Sequence, residues 1–142
     1  MERVIPLFIR KIARGEPITV FGEKKVLDFT YVDDCGAGVY RGIELLAAGG
    51  EANQTINLAY GQGNSLVALA EAIGAALGVA PRLTLAPPRV GEVTHYVADI
   101  AKARALLGYE PRVPLGEGIS RAVAWATDYW KQQKKQSTDY TD

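Results

Sequence analysis

Residues 17–46, PITVFGEKKVLDFTYVDDCGAGVYRGIELL, decide how the chain is read. Ile18, Val20 and Phe21 are β-branched or aromatic, the side chains a pleated strand accommodates best. Gly22-Glu23-Lys24-Lys25 is polar and opens on a glycine, which predicts a turn. Residues 26–32 predict a second strand, with Leu27, Phe29 and Tyr31 on one face and Val26, Asp28, Thr30 and Val32 on the other. Asp33 and Asp34 stand where a new helix leaves N–H groups free and its dipole positive, so capping is expected of them. Behind them Cys35, Val39, Ile43 and Leu46 recur at helical spacing and predict one buried stripe. Gly36 and Gly38 lower helicity there, which points to close backbone packing.

Working outward, residues 4–13 predict an amphipathic helix with Val4, Leu7, Phe8 and Ile12 on one face. Gly15 ends it and Pro17 forbids its continuation. Downstream, the first unit closes at Gly49-Gly50. Residues 54–59 predict a short strand and residues 61–65 a loop. Ser65 is placed to cap a helix at residues 66–77, where Leu66, Leu69, Ile73 and Leu77 share a face and Gly78 stops the run. Residues 82–86 predict a strand ended by Pro87-Pro88, and residues 89–93 a polar loop. Asp99 caps a short helix at residues 100–107, ended by Gly108. The last helix is expected at residues 115–131, with Leu115, Ile119, Val123, Ala126 and Trp130 as its stripe. Residues 133–142 have almost no apolar content and read as a disordered tail, leaving residues 1–132 as one domain. Alternation of helices and strands indicates an α/β chain, mixed α+β, rather than a bundle or a sandwich.

A chain of 142 residues, 48% apolar, is long enough to bury a core. Sixteen basic and sixteen acidic residues cancel, so no global field draws it to nucleic acid or to an acidic membrane. The basic cluster at residues 131–135 reads as a solvated end. One cysteine forms no internal disulfide, which fits a reducing compartment. Cys35, on the apolar stripe, reads as a packed thiol rather than a nucleophile. Residues 1–10 are too short and interrupted for a signal peptide or a membrane span. The expectation is a soluble, cytoplasmic protein with no nucleic-acid or membrane partner.

Few residues offer chemistry on their own. Gly61-x-Gly63 between a strand and a helix has the ingredients of a phosphate cradle. The dinucleotide fingerprint needs a further glycine three residues later, and that position is Leu66, so a plain turn is the better reading. The single histidine, His95, has no neighbouring carboxylate pattern and reads as exposed. Asp33-Asp34 could be paired catalytic carboxylates, but capping accounts for them. One histidine, one cysteine and no carboxylate cluster at ligand spacing give no expectation of a metal. Arg89 and Glu92 are more suggestive, on a loop stiffened by Pro87-Pro88. A guanidinium there can hold phosphate through paired hydrogen bonds, and a carboxylate can accept from sugar hydroxyls. Against this stands an ordinary surface arginine–glutamate pair.

Five stretches in order carry a resemblance: IPLFIRKIARGEPITVFG, DFTYVDD, INLAYGQGNSL, PPRVGEV…ADIAKARALLGYEP and PLGEGISRAV. Together they resemble the C-terminal half of the extended short-chain dehydrogenases/reductases, the NAD-dependent nucleotide-sugar epimerases and dehydratases. The pattern is similar to UDP-glucose and UDP-glucuronate 4-epimerases and covers residues 4–130. The resemblance implies the small substrate-binding domain of that family, without its N-terminal Rossmann domain. That domain carries the family's G-x-x-G-x-x-G cofactor loop and its Tyr-x-x-x-Lys pair. No tyrosine of this chain has lysine four residues on. No catalytic residue and no cofactor-binding residue is therefore expected in this chain, NAD belonging to the full-length enzymes.

What the resemblance implies is binding of a UDP-sugar or other nucleotide-sugar. By motif, Thr19, Val20 and Phe21 would line the base pocket, with backbone groups reading the uracil edge and Phe21 packing on its face; Arg89 would grip the diphosphate and Glu92 would contact the ribose hydroxyls. Two departures matter. Leu27 stands where the family usually has an arginine, removing one diphosphate contact, for which Lys24 or Lys25 offers a partial substitute. The turn after Phe21 lacks its usual second glycine. A charge-assisted hydrogen bond contributes about 1.5–3 kcal/mol, so its loss weakens nucleotide binding about tenfold to a hundredfold. In the family, the helix after Asp33 and residues 56–58 pack on the Rossmann half. Without it their apolar faces would meet water, so self-association or pairing with a Rossmann half is expected. The alternative is a non-catalytic interaction or oligomerisation module.

Overall fold

The computed structural model describes residues 3–50 and 53–138. Helix α1, Val4–Ala13, has Arg10 and Lys11 in its last turn, where cations suit the dipole, and it ends at Gly15 with φ +67°. It buries Phe8, Ile9 and Ile12, so its inner face is turned slightly from the expected one. Strand β1, Ile18–Phe21, and β2, Val26–Asp28, follow, then α2, Val32–Ala47. Next come β3, Gly63–Ser65, α3, Leu66–Leu77, and β4, Leu83–Ala86. The chain continues through β5, His95–Tyr96, α4, Ala101–Leu107, and α5, Leu115–Thr138.

Two small sheets organise these elements. β1 and β4 pair in parallel, Ile18 beside Leu83 and Phe21 beside Ala86. β2 is the centre of the other sheet, antiparallel to β3 and parallel to β5. Helix α3 lies between α1 and α5. Its Leu69, Ala70 and Ile73 are fully enclosed, and Ser65 Oγ accepts from the Ala68 N–H at 3.0 Å to cap it. Around α3 gather Phe8, Ile9 and Ile12 of α1, Ile18 and Val20 of β1, and Ile119, Val123 and Ala126 of α5. Each large apolar side chain enclosed here contributes about 1.5–3 kcal/mol. A second cluster joins Ala59, Ile100, Ala103, Leu107 and Tyr109 beneath α2 and α4.

Several expectations are corrected. The second strand stops at Asp28 and α2 begins at Val32, because β3 and β5 offer ladder partners for only three and two residues. Residues 54–59 form no strand; Ile56, Leu58 and Ala59 reach the second cluster by side chains alone. The expected loop at residues 61–65 contains β3. Gly63 allows it, since a Cβ there would sit 2.2 Å from Val26 Cγ1. The last helix runs on to Thr138 rather than ending near Lys131. The stripe of α2 is not buried: Val39, Ile43 and Leu46 are each more than half exposed, as is Tyr40. Their exposure agrees with the expectation drawn from the resemblance, that this face meets water when nothing covers it. Gly38 does pack closely, a Cβ there falling 2.6 Å from Leu58, whereas Gly36 faces open space. Among the described residues no helix is long and apolar enough to cross a membrane.

Candidate functional site

Parallel pairing of β1 with β4 brings the ends of both strands to one edge of the molecule. Beyond β1, Gly22 takes φ +76° and gives its N–H to Ala86 O at 2.9 Å, so the two chains leave the sheet side by side. A Cβ on Gly22 would come 3.2 Å from Pro88 Cβ, which makes this a position for glycine. The turn closes when Lys25 N–H donates to Gly22 O at 2.9 Å, and Val26 N–H then donates to Thr94 O. Past β4, Pro87-Pro88 carries the chain into the loop of Arg89 and Glu92, where Gly91 takes φ +82°.

At this edge the predicted residues partly converge. The Arg89 guanidinium lies 4.0 Å from the centre of the Phe21 ring, a cation–π contact. Glu92 approaches it at 4.0 Å through Oε1, and Glu92 Oε2 accepts from Lys25 Nζ at 3.1 Å. Phe21, Arg89 and Glu92 therefore form one cluster, and Lys25 joins them. A hollow of about 390 Å³ beside it is lined by Gly22, Lys24, Lys25, Pro87, Pro88 and Thr94. Thr19 stands exposed on the same strand. Val20 does not face the hollow: it is buried in the core, because alternation along β1 sends Ile18 and Val20 inward. Leu27 lies in the middle of β2, paired with Asn64 and Tyr96.

The other candidates have structural work. Asp34 is buried and does not cap α2. Its two oxygens accept from the N–H groups of Arg112 and Val113, 2.9 Å each. Asp33 is exposed and meets Arg121 at 3.5 Å. His95 is exposed on β5. Asp99 Oδ1 accepts from the Ala101 N–H at 2.8 Å, but α4 begins one residue later than expected, so Ile100 and not Asp99 is its N-cap. Gly61-x-Gly63 is no phosphate cradle. The Tyr60 and Gly61 N–H groups are given to Asp28 at 3.2 and 2.9 Å, and Gly63 lies under Val26. That segment does not fit a dinucleotide, its amides being already taken by Asp28 and its Gly63 covered by Val26.

Asp28 is the residue sequence reasoning passed over. Besides those two groups it accepts from the Ala98 N–H at 3.3 Å, tying two distant segments to β2. A carboxylate closing an apolar strand with no basic neighbour was the signal available. Tyr109 was also missed. Its hydroxyl is buried with no hydrogen-bond partner, and burial first, then the Asp34 carboxylate, push it up to about 12.

Comparison with known proteins agrees with this architecture. The description of the NAD dependent epimerase/dehydratase family matches residues 1–59. A dTDP-glucose 4,6-dehydratase of Actinoplanes sp. is 32% identical over 127 residues, 87% of this chain and 38% of the relative. A UDP-glucose 4-epimerase of Mycolicibacterium smegmatis is 32% identical over 84% of this chain and 37% of its own length. Among solved structures, the UDP-glucose 4-epimerase of Thermotoga maritima with UDP-glucose superposes with a TM-score of 0.79 at 29% identity. It covers 90% of this chain and 40% of that one. An epimerase of Methanothermobacter thermautotrophicus gives 0.77 at 29% identity, covering 94% and 40%. The chain thus spans about two fifths of the length of these relatives. In sequence and in fold it is a relative of the NAD-dependent epimerases and dehydratases, a part-length counterpart of the extended short-chain dehydrogenases/reductases.

Proposed function

We propose that this chain is the nucleotide-sugar-binding portion of an NAD-dependent epimerase or dehydratase, not catalytic by itself. The observation that carries the reading is the cluster of Arg89, Phe21, Glu92 and Lys25 at the shared edge of β1 and β4. It supplies an aromatic face for a base, cations for a diphosphate and a carboxylate for ribose hydroxyls. Phe21 packs on a uracil ring, Arg89 holds the diphosphate and Glu92 meets the ribose. Thr19 and Val20 contribute through the strand; for Val20 this means its backbone, since its side chain is enclosed. Solved relatives in complex with UDP-glucose or UDP-glucuronic acid support a UDP-sugar as the substrate class. Hydride transfer to NAD would rest on residues outside this chain.

Calorimetric titration with UDP and UDP-glucuronate tests this. Heat that Arg89→Ala abolishes is the expected result; no heat at millimolar ligand in the unmodified chain refutes it.

A second reading, a non-catalytic interaction module, is favoured by one observation, the uncovered apolar face of α2. On either reading that face pairs with a second copy or with a Rossmann half supplied by another chain. Clean monomeric sedimentation at micromolar concentration counts against self-association.

A further inference from the structure

The Glu92 carboxylate sits between two cations delivered by different segments. Oε2 is 3.1 Å from Lys25 Nζ, on the turn after β1, and Oε1 is 4.0 Å from Arg89 Nη1, on the loop after β4. Neither cation is placed by chance. Lys25 is fixed by its N–H bond to Gly22 O and by the start of β2 behind it, and its side chain is only 18% exposed. Arg89 is laid against the Phe21 ring. An anion held by a sheltered lysine and an aromatic-backed arginine, beside a hollow of about 390 Å³, has the layout of a phosphate seat.

We propose that Glu92 is the resident counter-ion of this two-cation seat, and that a ligand diphosphate must displace it from Lys25 and Arg89. The inference rests on the nucleotide-sugar reading and deepens it. Lys25, rather than Lys24, is the second cation that stands in for the arginine missing at Leu27, because Lys25 is the one already holding an anion. A diphosphate carries more charge and more acceptor oxygens than one carboxylate, so it prevails over Glu92, while a single weak anion does not. The same exchange moves Arg89, whose guanidinium covers the Phe21 face on which a base would stack. Glu92 thus opposes binding in the free protein, although its acceptor oxygens suit a sugar hydroxyl once displaced.

The charge and the acceptor are separable. Glu92→Gln keeps the shape and an acceptor oxygen and removes the charge. Calorimetry with UDP and with inorganic pyrophosphate on the full chain is the test. Glu92→Gln is expected to bind UDP about threefold to tenfold more tightly than the unmodified protein. Lys25→Gln is expected to weaken it, and the gain from Glu92→Gln to be smaller in the Lys25→Gln background, since the competitor has already lost the nearer of its two cations and keeps only Arg89. Equal or weaker binding in Glu92→Gln, or indifference to Lys25→Gln, overturns the proposal. Pyrophosphate binding strengthened by Glu92→Gln, with UDP no better than pyrophosphate, upholds the seat and removes the nucleotide reading. UDP binding lost in Arg89→Ala but unmoved by the Glu92 and Lys25 changes does the reverse. No heat from either ligand in any variant overturns both.

Discussion

Asp34 holds Val113 from across the fold: its Oδ2 accepts the buried Val113 N–H at 2.9 Å, while Oδ1 takes the Arg112 N–H at the same distance. Those two amides belong to a Pro-flanked segment with no ladder of its own, so the carboxylate is their partner. Removing it leaves the buried Val113 donor unsatisfied, at about 1–3 kcal/mol, and takes a further bond from the part-buried Arg112 amide. Asp34→Ala is therefore expected to lower unfolding free energy by about 2–4 kcal/mol in urea titration. Exposed Asp33→Ala should stay within about 0.5 kcal/mol of the unmodified protein. Equal effects at the two positions would contradict this assignment.

Two helical glycines should respond in opposite directions. At Gly74 in α3 a Cβ would meet Val79 O at 2.6 Å and Pro81 Cδ at 2.8 Å, a backbone and a ring that cannot swing away. Gly74→Ala is expected to cost about 1–3 kcal/mol. At Gly36 in α2 nothing lies within 4 Å, so alanine gains its intrinsic helix preference, about 0.5–1 kcal/mol. Melting temperatures moving in the same direction would show that one of these environments is misassigned.

Tyr109 gives a pH dependence with a definite sign. Its hydroxyl titrates near 10 in the unfolded chain and is pushed up to about 12 in the fold, first by burial and then by Asp34. Its contribution is complete below pH 10 and is lost as pH rises from 10 toward 12, where the unfolded state releases the proton first. Tyr109→Phe should flatten that part of the stability profile. At pH 7 it should be neutral or stabilising by up to about 1 kcal/mol, because the hydroxyl has no partner to lose. A clear loss at pH 7 would mean that the hydroxyl is bonded in solution.

The face of α2 offers a test of association separate from stability. Ile43 is exposed, so Ile43→Lys should change unfolding free energy by less than about 0.5 kcal/mol. It should lower the sedimentation coefficient if copies meet through Val39, Tyr40, Ile43 and Leu46. An unchanged, already monomeric coefficient would leave the face to a different chain.

The helices were legible because their signals are local. The Ser65 cap, Gly15, Gly78 and Gly108 stops and the α3 stripe all act within a few residues. What local sequence does not reveal depends on distant partners. Asp34 looked like a cap, since nothing near it announces the amides of Arg112 and Val113. The β2 strand was overextended because its length is set by how short β3 and β5 are. The stripe of α2 was read as buried from its period alone; period reports that a face is apolar, not that anything covers it. At the candidate site, Arg89 and Glu92 were visible through the rigid Pro87-Pro88 approach. The enclosure of the Val20 side chain follows from strand alternation and leaves only its backbone to the candidate site.

Asp28 has a consequence for how the chain folds. Its oxygens collect amides from Tyr60, Gly61 and Ala98, groups 32, 33 and 70 residues further along the chain. The carboxylate is fully satisfied only when both distant segments, residues 60–61 and Ala98, have closed their loops back to β2. Those three amides should exchange hydrogen for deuterium together, at the rate of global opening, although they lie in short, irregular stretches that would otherwise exchange early.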